Sequence, residues 1–240
     1  DSPGVEVVCH MPAIRSLDGK IAEGWFIGVP FGAREMMNLP RQETVAMITE
    51  AVDLGKELGA RIIGLGALTS VVTRGGRSVQ NRGVAITSGN SFTTLMAMEA
   101  LFAGAEKMHI NPEHNRAAVV GATGSIGRTC TLMLSEQSSQ ITLLGNPHRP
   151  NYGNQRLEFL FSELLSYAYR RLQSGQMTVL SGWLKQSLYM LMERDSSRSR
   201  ELAQVLRDGI DLSPRLLSYI CDYLGVEMPL QVSLDIDTTL

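Results

Sequence analysis

The chain has 240 residues, of which 44% are hydrophobic and 19% charged, with a formal net charge of -2. These proportions are those of an ordinary globular protein with material for one large domain or two small ones. Lys and Arg are scattered rather than massed, and no apolar run approaches the ~18 residues needed to span a bilayer, so neither nucleic acid nor a membrane is indicated as a partner.

Two strands are expected at Val5–Cys9 and Ile21–Val29, joined by a turn at Leu17-Asp18-Gly19-Lys20. Pro40 and Glu43 open a helical pattern running to Leu58, with Val45, Ile48, Val52 and Leu58 on one face and Gly59 as its stop. Arg61–Leu65 is short, apolar and flanked by glycine, which reads as a buried parallel strand. A polar loop from Thr69 to Arg82 follows, then a further strand at Val84–Thr87. Ser88-Gly89-Asn90-Ser91 is a helix-start signal before the apolar segment Phe92–Met108.

Asn111–Arg116 is a polar linker, and the most informative stretch begins directly after it. Residues 117–127 read Ala-Ala-Val-Val-Gly-Ala-Thr-Gly-Ser-Ile-Gly. The order suits a strand, a tight turn and a helix whose N-terminus holds a pyrophosphate. Gly121 permits the turn, Gly124 lets backbone approach phosphate oxygens, and Gly127 lets the helix pack near the strand. Together with Ala122, Thr123, Ser125 and Ile126, these glycines are the expected cofactor-binding residues. The competing reading is a ligand-free Gly-rich turn; the strand before it and the helix after it favour the fingerprint. That helix is expected to end near Ser138, and Gln140–Leu144 to form the next strand.

An NAD site usually places Asp or Glu at the end of that second strand. Here the strand runs into Gly145-Asn146-Pro147-His148-Arg149, without a carboxylate. Asn146 and Arg149 suit a 2′-phosphate, with His148 as a third contact, so NADP(H) is expected over NAD(H). A plain surface turn is the alternative for the same residues.

From Gln155 to Leu224 the pattern is helical throughout, with helices expected at 155–173, 177–193, 198–208 and 214–224. A last strand is expected at Gln231–Ile236. Leu160, Leu164 and Tyr167, and Leu184, Leu188 and Leu191, form stripes that read as core packing. A doubly wound cofactor domain carries about six strands, whereas three are legible after residue 116. Hence the expected layout has an α/β substrate domain at 1–110 and a Rossmann-like domain at 111–150 and 230–240. A helical insertion at 151–229 interrupts it, and the chain is expected to be truncated at its C-terminus. The first residue is Asp1, so the native start is expected elsewhere, and no signal-peptide layout precedes Val5.

With both glycine-bearing segments in view, residues 45–149 resemble the long-chain acyl-[acyl-carrier-protein] reductases of cyanobacteria. The resemblance rests on Lys56-Glu57-Leu58-Gly59 leading into Ile62–Val72, on Thr87–Thr93, and on Gly121–Gly127; residues 7–31 fit more loosely. It implies a substrate domain, a Rossmann domain, NADPH, and an acyl thioester on acyl-carrier protein or coenzyme A, reduced to an aldehyde. It also implies a cysteine nucleophile, which has no counterpart among Cys9, Cys130 and Cys221. Cys130 and Cys221 read as packing residues, and Cys9 beside His10 as a buried strand cysteine rather than an activated thiolate. The nucleophile is therefore expected outside the visible sequence. The helical block departs from that family, and reads as a lid, an oligomerisation surface or a carrier-docking site.

Cleft candidates are Ser70, Ser88, Asn90 and Thr93, which follow the ends of two strands; for Ser88 and Asn90 a helix cap is the simpler role. The four histidines, His10, His109, His114 and His148, lack ligand spacing, so no metal site is expected. Three widely separated cysteines indicate no disulfide framework and a cytoplasmic setting. The function these readings favour is NADPH-dependent reduction of an acyl thioester to an aldehyde. Its competitors are a two-domain NADP-dependent dehydrogenase of the amino-acid-dehydrogenase-like or shikimate type and a non-catalytic nucleotide-binding or carrier-docking module.

Overall fold

The structure is a computed structural model that describes residues 4–147, 150–194, 196–208 and 213–234. It is mixed α/β, with three small sheets and nine α-helices among the described residues. The chain divides into two compact units, Asp1–Asn90 and Ser91–Leu240.

The first unit opens with β1 (Glu6–Arg15) and β2 (Ile21–Gly28), an antiparallel hairpin interrupted between Val7 and Cys9 and between Met11 and Ile14. Its turn closes as expected: Gly19 takes φ +81°, and the Ser16 amide donates to the Lys20 carbonyl at 2.9 Å. A short helix α1 (Ala33–Asn38) precedes α2 (Arg41–Glu57). The inward face of α2 carries Thr44, Ile48, Val52 and Gly55, spaced three or four apart as one helical face requires. Ile48 and Val52 meet Leu65 and Val79 in this unit's core.

β3 (Ile62–Gly64) and β4 (Ala85–Thr87) pair in parallel. The expectation of a buried strand at 61–65 is corrected here, because Ile62 is 63% exposed. A two-stranded sheet lacks the neighbours and second helical layer that bury a central parallel strand. The polar loop expected between these strands holds α3 (Thr69–Val72) and a 3-10 turn at Arg77–Val79. Arg41 fastens it, donating from Nε to the Val72 carbonyl at 3.1 Å and from Nη2 to Ser78 Oγ at 3.0 Å.

The second unit contains most of α4 (Asn90–Lys107), then β5 (Arg116–Val120), α5 (Ser125–Leu134) and β6 (Gln140–Leu144). Four helices follow: α6 (Pro150–Gln173), α7 (Val179–Glu193), α8 (Ser197–Asp208) and α9 (Pro214–Leu224). The chain then returns as β7 (Leu230–Ser233). The sheet order is β5-β6-β7, all parallel, with Val120 opposite Leu144 and Leu144 opposite Ser233. Flanked on both sides, β6 buries Ile141 to Leu144, which explains its unbroken apolar run. With three strands in this sheet among the described residues, the α/β class is the level of fold these residues establish.

The helical block packs on that sheet rather than standing apart. On α6, Leu157, Leu160, Phe161, Leu164, Leu165 and Ala168 are buried in one core with Leu143, Leu184, Leu206 and Leu217. A Cβ at Gly145 would come within 2.8 Å of both Leu157 and Leu234, so glycine lets β6, α6 and the end of β7 meet. At the start of α7, Thr178 and Ser181 form a reciprocal cap, with the Ser181 amide donating to Thr178 Oγ1 at 3.1 Å. The amides of Val179 and Leu180 donate to the carbonyls of Glu136 and Ser135 just after α5, anchoring the block there.

Candidate functional site

The glycine-rich stretch lies where β5 passes into α5. Gly121 adopts φ +72°, a left-handed conformation that glycine tolerates best. Its amide and that of Ala122 both donate to the Leu144 carbonyl, at 2.9 and 3.1 Å, which ties the turn to the neighbouring strand. The Gly124 amide returns to the Gly121 carbonyl at 2.9 Å. Gly124 then serves as the helix cap, with no side-chain cap bond to the first turn of α5.

The glycine spacing has a steric cause in the fold. A methyl group at Gly127 would collide with the Gly121 carbonyl and lie 3.0 Å from the Ala122 Cα. At Gly124 it would stand 3.2 Å from that carbonyl. The first turn of a helix has N–H groups with no carbonyl one turn earlier, and the peptide dipoles make that end positive. The amides of Ile126 and Gly127 thus belong to a feature suited to an anion. Ala122 is fully buried beneath the turn, whereas Ile126 sits at its surface.

The helical block contributes to this site in a way the sequence does not announce. Arg156 of α6 donates from Nη2 to the Thr123 carbonyl, and its guanidinium lies 5.4 Å from the Tyr152 ring centroid. Arg128, in the second turn of α5, forms a two-pronged ion pair with Glu163, its Nε donating to Oε2 at 2.6 Å. That hydrogen bond holds the Arg128 guanidinium above its ordinary pKa. Between α5 and α6 lies a cavity of about 280 Å³ lined by Thr123, Arg128, Gln155, Arg156, Phe159 and Leu160.

The remaining expected cofactor contacts fare differently. Asn146 lies two residues past β6, at the same carboxyl end of the sheet as the glycine turn. Arg149, with His148, lies outside the described residues.

Of the cleft candidates, Ser70 lies in α3 and its carbonyl accepts from the Gly75 amide at 2.6 Å. Ser88 follows β4, and its hydroxyl accepts from the Asn90 amide at 3.5 Å, a local turn at the start of α4. Asn90 and Thr93 occupy the first turn of α4. β3 and β4 are parallel neighbours, so the segments bearing Ser70 and Ser88 leave the same carboxyl end of the sheet. The first unit also holds a cavity of about 950 Å³ between β2, α2 and β3, and none of the four candidates lines it. Its walls are mostly apolar, with Trp25, Phe26, Ile48, Val52 and Leu65 among them.

Neither Cys9 nor Cys221 hydrogen-bonds to an acid–base side chain among the contacts described. The expectation of a buried strand cysteine is corrected at Cys9, which is exposed in the two-stranded hairpin; its Sγ contacts only the His10 carbonyl, at 3.8 Å, among the contacts described. His10 instead pairs through Nε2 with Glu23 at 2.8 Å and stacks on Trp25. The strand pleat sends neighbouring side chains to opposite faces. Cys221 is buried in the helical core, where desolvation and then Asp222 push its thiol up to about 11. No group of His, Cys, Asp and Glu suited to a metal ion occurs among the described residues.

In class, then, this is an α/β protein with a glycine-rich turn between a parallel strand and a helix, backed by a helical block. No protein-family model matches the chain. It is similar to a curated protein, aminotransferase PigE of Serratia sp., with 32% identity over 155 residues, or 64% of this chain. The match spans only 17% of that relative's length.

The similarity to an aminotransferase corrects the earlier assignments. It overturns the resemblance to acyl-[acyl-carrier-protein] reductases, the NADPH-dependent reduction of an acyl thioester, the aldehyde and fatty-acid setting, and NADP(H) as cofactor. The dehydrogenase and carrier-docking alternatives gain no support from it. The physical reason lies in the turn itself. Its contacts are backbone groups, which accept a phosphoryl group whatever molecule carries it. Such a turn does not name its cofactor.

Aminotransferases as a class use pyridoxal phosphate, bound through a lysine imine. The lysines here are Lys20, Lys56, Lys107 and Lys185. Lys20 pairs with Asp18 on the β1–β2 turn, and Lys56 and Lys107 lie in the last turns of α2 and α4. All four are exposed and none lines either cavity. The residues of this chain do not fit that group.

Proposed function

We propose that this chain is a phosphoanion-binding α/β module of a transaminase-type enzyme system, and that the amino-group transfer belongs to a separate, lysine-bearing site. The observation that carries this reading is the Gly121–Gly127 turn. Its backbone leaves no room for a Cβ at Gly127, and it ends at a helix start with no side-chain cap bond. The 32% identity to aminotransferase PigE supports the enzyme class, and the placement of the lysines supports a role outside the imine chemistry. In this reading the turn grips the phosphate of a small molecule through the amides of Ile126 and Gly127, and the positive end of α5 adds to the attraction. Ser88 and Asn90, at the start of α4, take no part. Three free thiols far apart in sequence support a reducing compartment.

Titration calorimetry with inorganic phosphate, against chloride at equal ionic strength, tests the reading. The native chain is expected to bind phosphate saturably. Gly124→Ala, which puts a methyl group 3.2 Å from the Gly121 carbonyl, is expected to keep its circular dichroism and weaken binding about tenfold, the worth of one charge-assisted hydrogen bond. Absence of saturable binding by the native chain would refute the proposal, as would equal affinity in the variant.

A further inference from the structure

The cavity between α5 and α6 opens beside the glycine turn, and its walls have two chemical characters. One is cationic. Arg128 and Arg156 both line it, but Glu163 neutralises Arg128, whereas no carboxylate pairs with Arg156 among the described residues. Arg156 spends one N–H on the Thr123 carbonyl, and a guanidinium has five donors in a planar fork. The other character is apolar. Phe159 is 69% exposed, next to the buried Leu160 at the same cavity. Tyr152, Arg156 and Phe159 fall four and three residues apart, so they share one outward stripe of α6. The opposite stripe, with Leu157, Phe161 and Leu164, is buried in the core. Helix packing accounts for the buried stripe, while the outward stripe joins the glycine turn through Arg156 and leaves the Phe159 ring at the cavity.

We infer that this cavity receives the aromatic ring of an aryl phosphate whose phosphate rests on the Gly121–Gly127 turn, a refinement that rests on the function proposed above. At about 280 Å³ the cavity is near the lower end of small-molecule sites, a size for a single substituted ring rather than a long chain. Arg156 bridges the two halves of the ligand. Its bond to Thr123 fixes it at the turn, its remaining donors face phosphate oxygens, and Phe159 offers a ring face for offset stacking. Arg128, already paired with Glu163, forms the far wall.

Calorimetry with phenyl phosphate, glycerol phosphate and inorganic phosphate separates the ring pocket from the phosphate site. The native chain is expected to favour phenyl phosphate over glycerol phosphate by roughly three- to tenfold, the range of an aromatic pair. Phe159→Ala is expected to erase that preference and leave inorganic phosphate binding unchanged. Arg156→Met is expected to weaken all three ligands about tenfold or more, with part of the loss recovered in Arg156→Lys. Equal affinity for phenyl and glycerol phosphate, or a preference that survives Phe159→Ala, would overturn the inference while leaving the phosphate site standing. Failure of all three ligands to bind would overturn the parent reading instead.

Discussion

At the scale of single residues, two kinds of position behave very differently. Glycines 121, 124 and 127 were legible in the sequence because their roles are local: a left-handed turn, a cap and a close approach all fall within seven residues. Arg156 was not legible. Its partner, the Thr123 carbonyl, lies 33 residues away, and nothing in an arginine on an amphipathic helix reveals a distant backbone acceptor. Local turn geometry likewise carries no record of what the phosphate is attached to, which is why the NADP(H) assignment failed. Cys221 makes a residue-scale prediction about pH. Burial pushes its thiol up to about 11, whereas an unfolded cysteine ionises near ~8.5. The thiol is neutral in both states below the unfolded value. As pH rises past ~8.5 the unfolded chain loses a proton that the folded chain retains, so stability falls across the interval up to about 11. Urea melts of the native chain and of Cys221→Ala between pH 7 and pH 10 should converge as pH rises. Parallel loss of stability in both would show that Cys221 does not contribute to the decline.

At the scale of elements, periodicity predicted well where one face is buried. The strand at Gln140–Leu144 and the four helices of the block follow from runs and stripes whose spacing matches their burial. It predicted poorly at β3, where an apolar run between glycines looked like a buried strand and proved half open. A run of Ile-Ile-Gly-Leu records that the residues are apolar, but not how many strands stand beside them. The packing of the block on the sheet was also beyond reach, because it depends on Gly145 meeting Leu157 and Leu234. Phe161, fully buried on α6 at the centre of that packing, gives the element-scale prediction. Phe161→Ala should cost about 3–5 kcal/mol, by lost burial and the cavity left behind. Chemical denaturation followed by helical circular dichroism measures it. A cost below ~1 kcal/mol, the level of an ordinary point substitution, would mean that α6 is not held by this core.

At the scale of the whole molecule, each unit has its own core: Ile48, Val52, Leu65 and Val79 in the first, and the larger sheet-and-helix cluster in the second. No described helix is long and apolar enough to cross a membrane. The chain spans a small part of the aminotransferase it resembles, and its exposed lysines fit no imine site. The function proposed above therefore rests on what the second unit can bind. Backbone amide chemical shifts, recorded by heteronuclear nuclear magnetic resonance during titration with inorganic phosphate, test that claim most directly. Saturable shifts concentrated at Gly124, Ile126 and Gly127 are expected, with the amides of the first unit unmoved. Shifts spread evenly over the surface, or none at the turn, would contradict it.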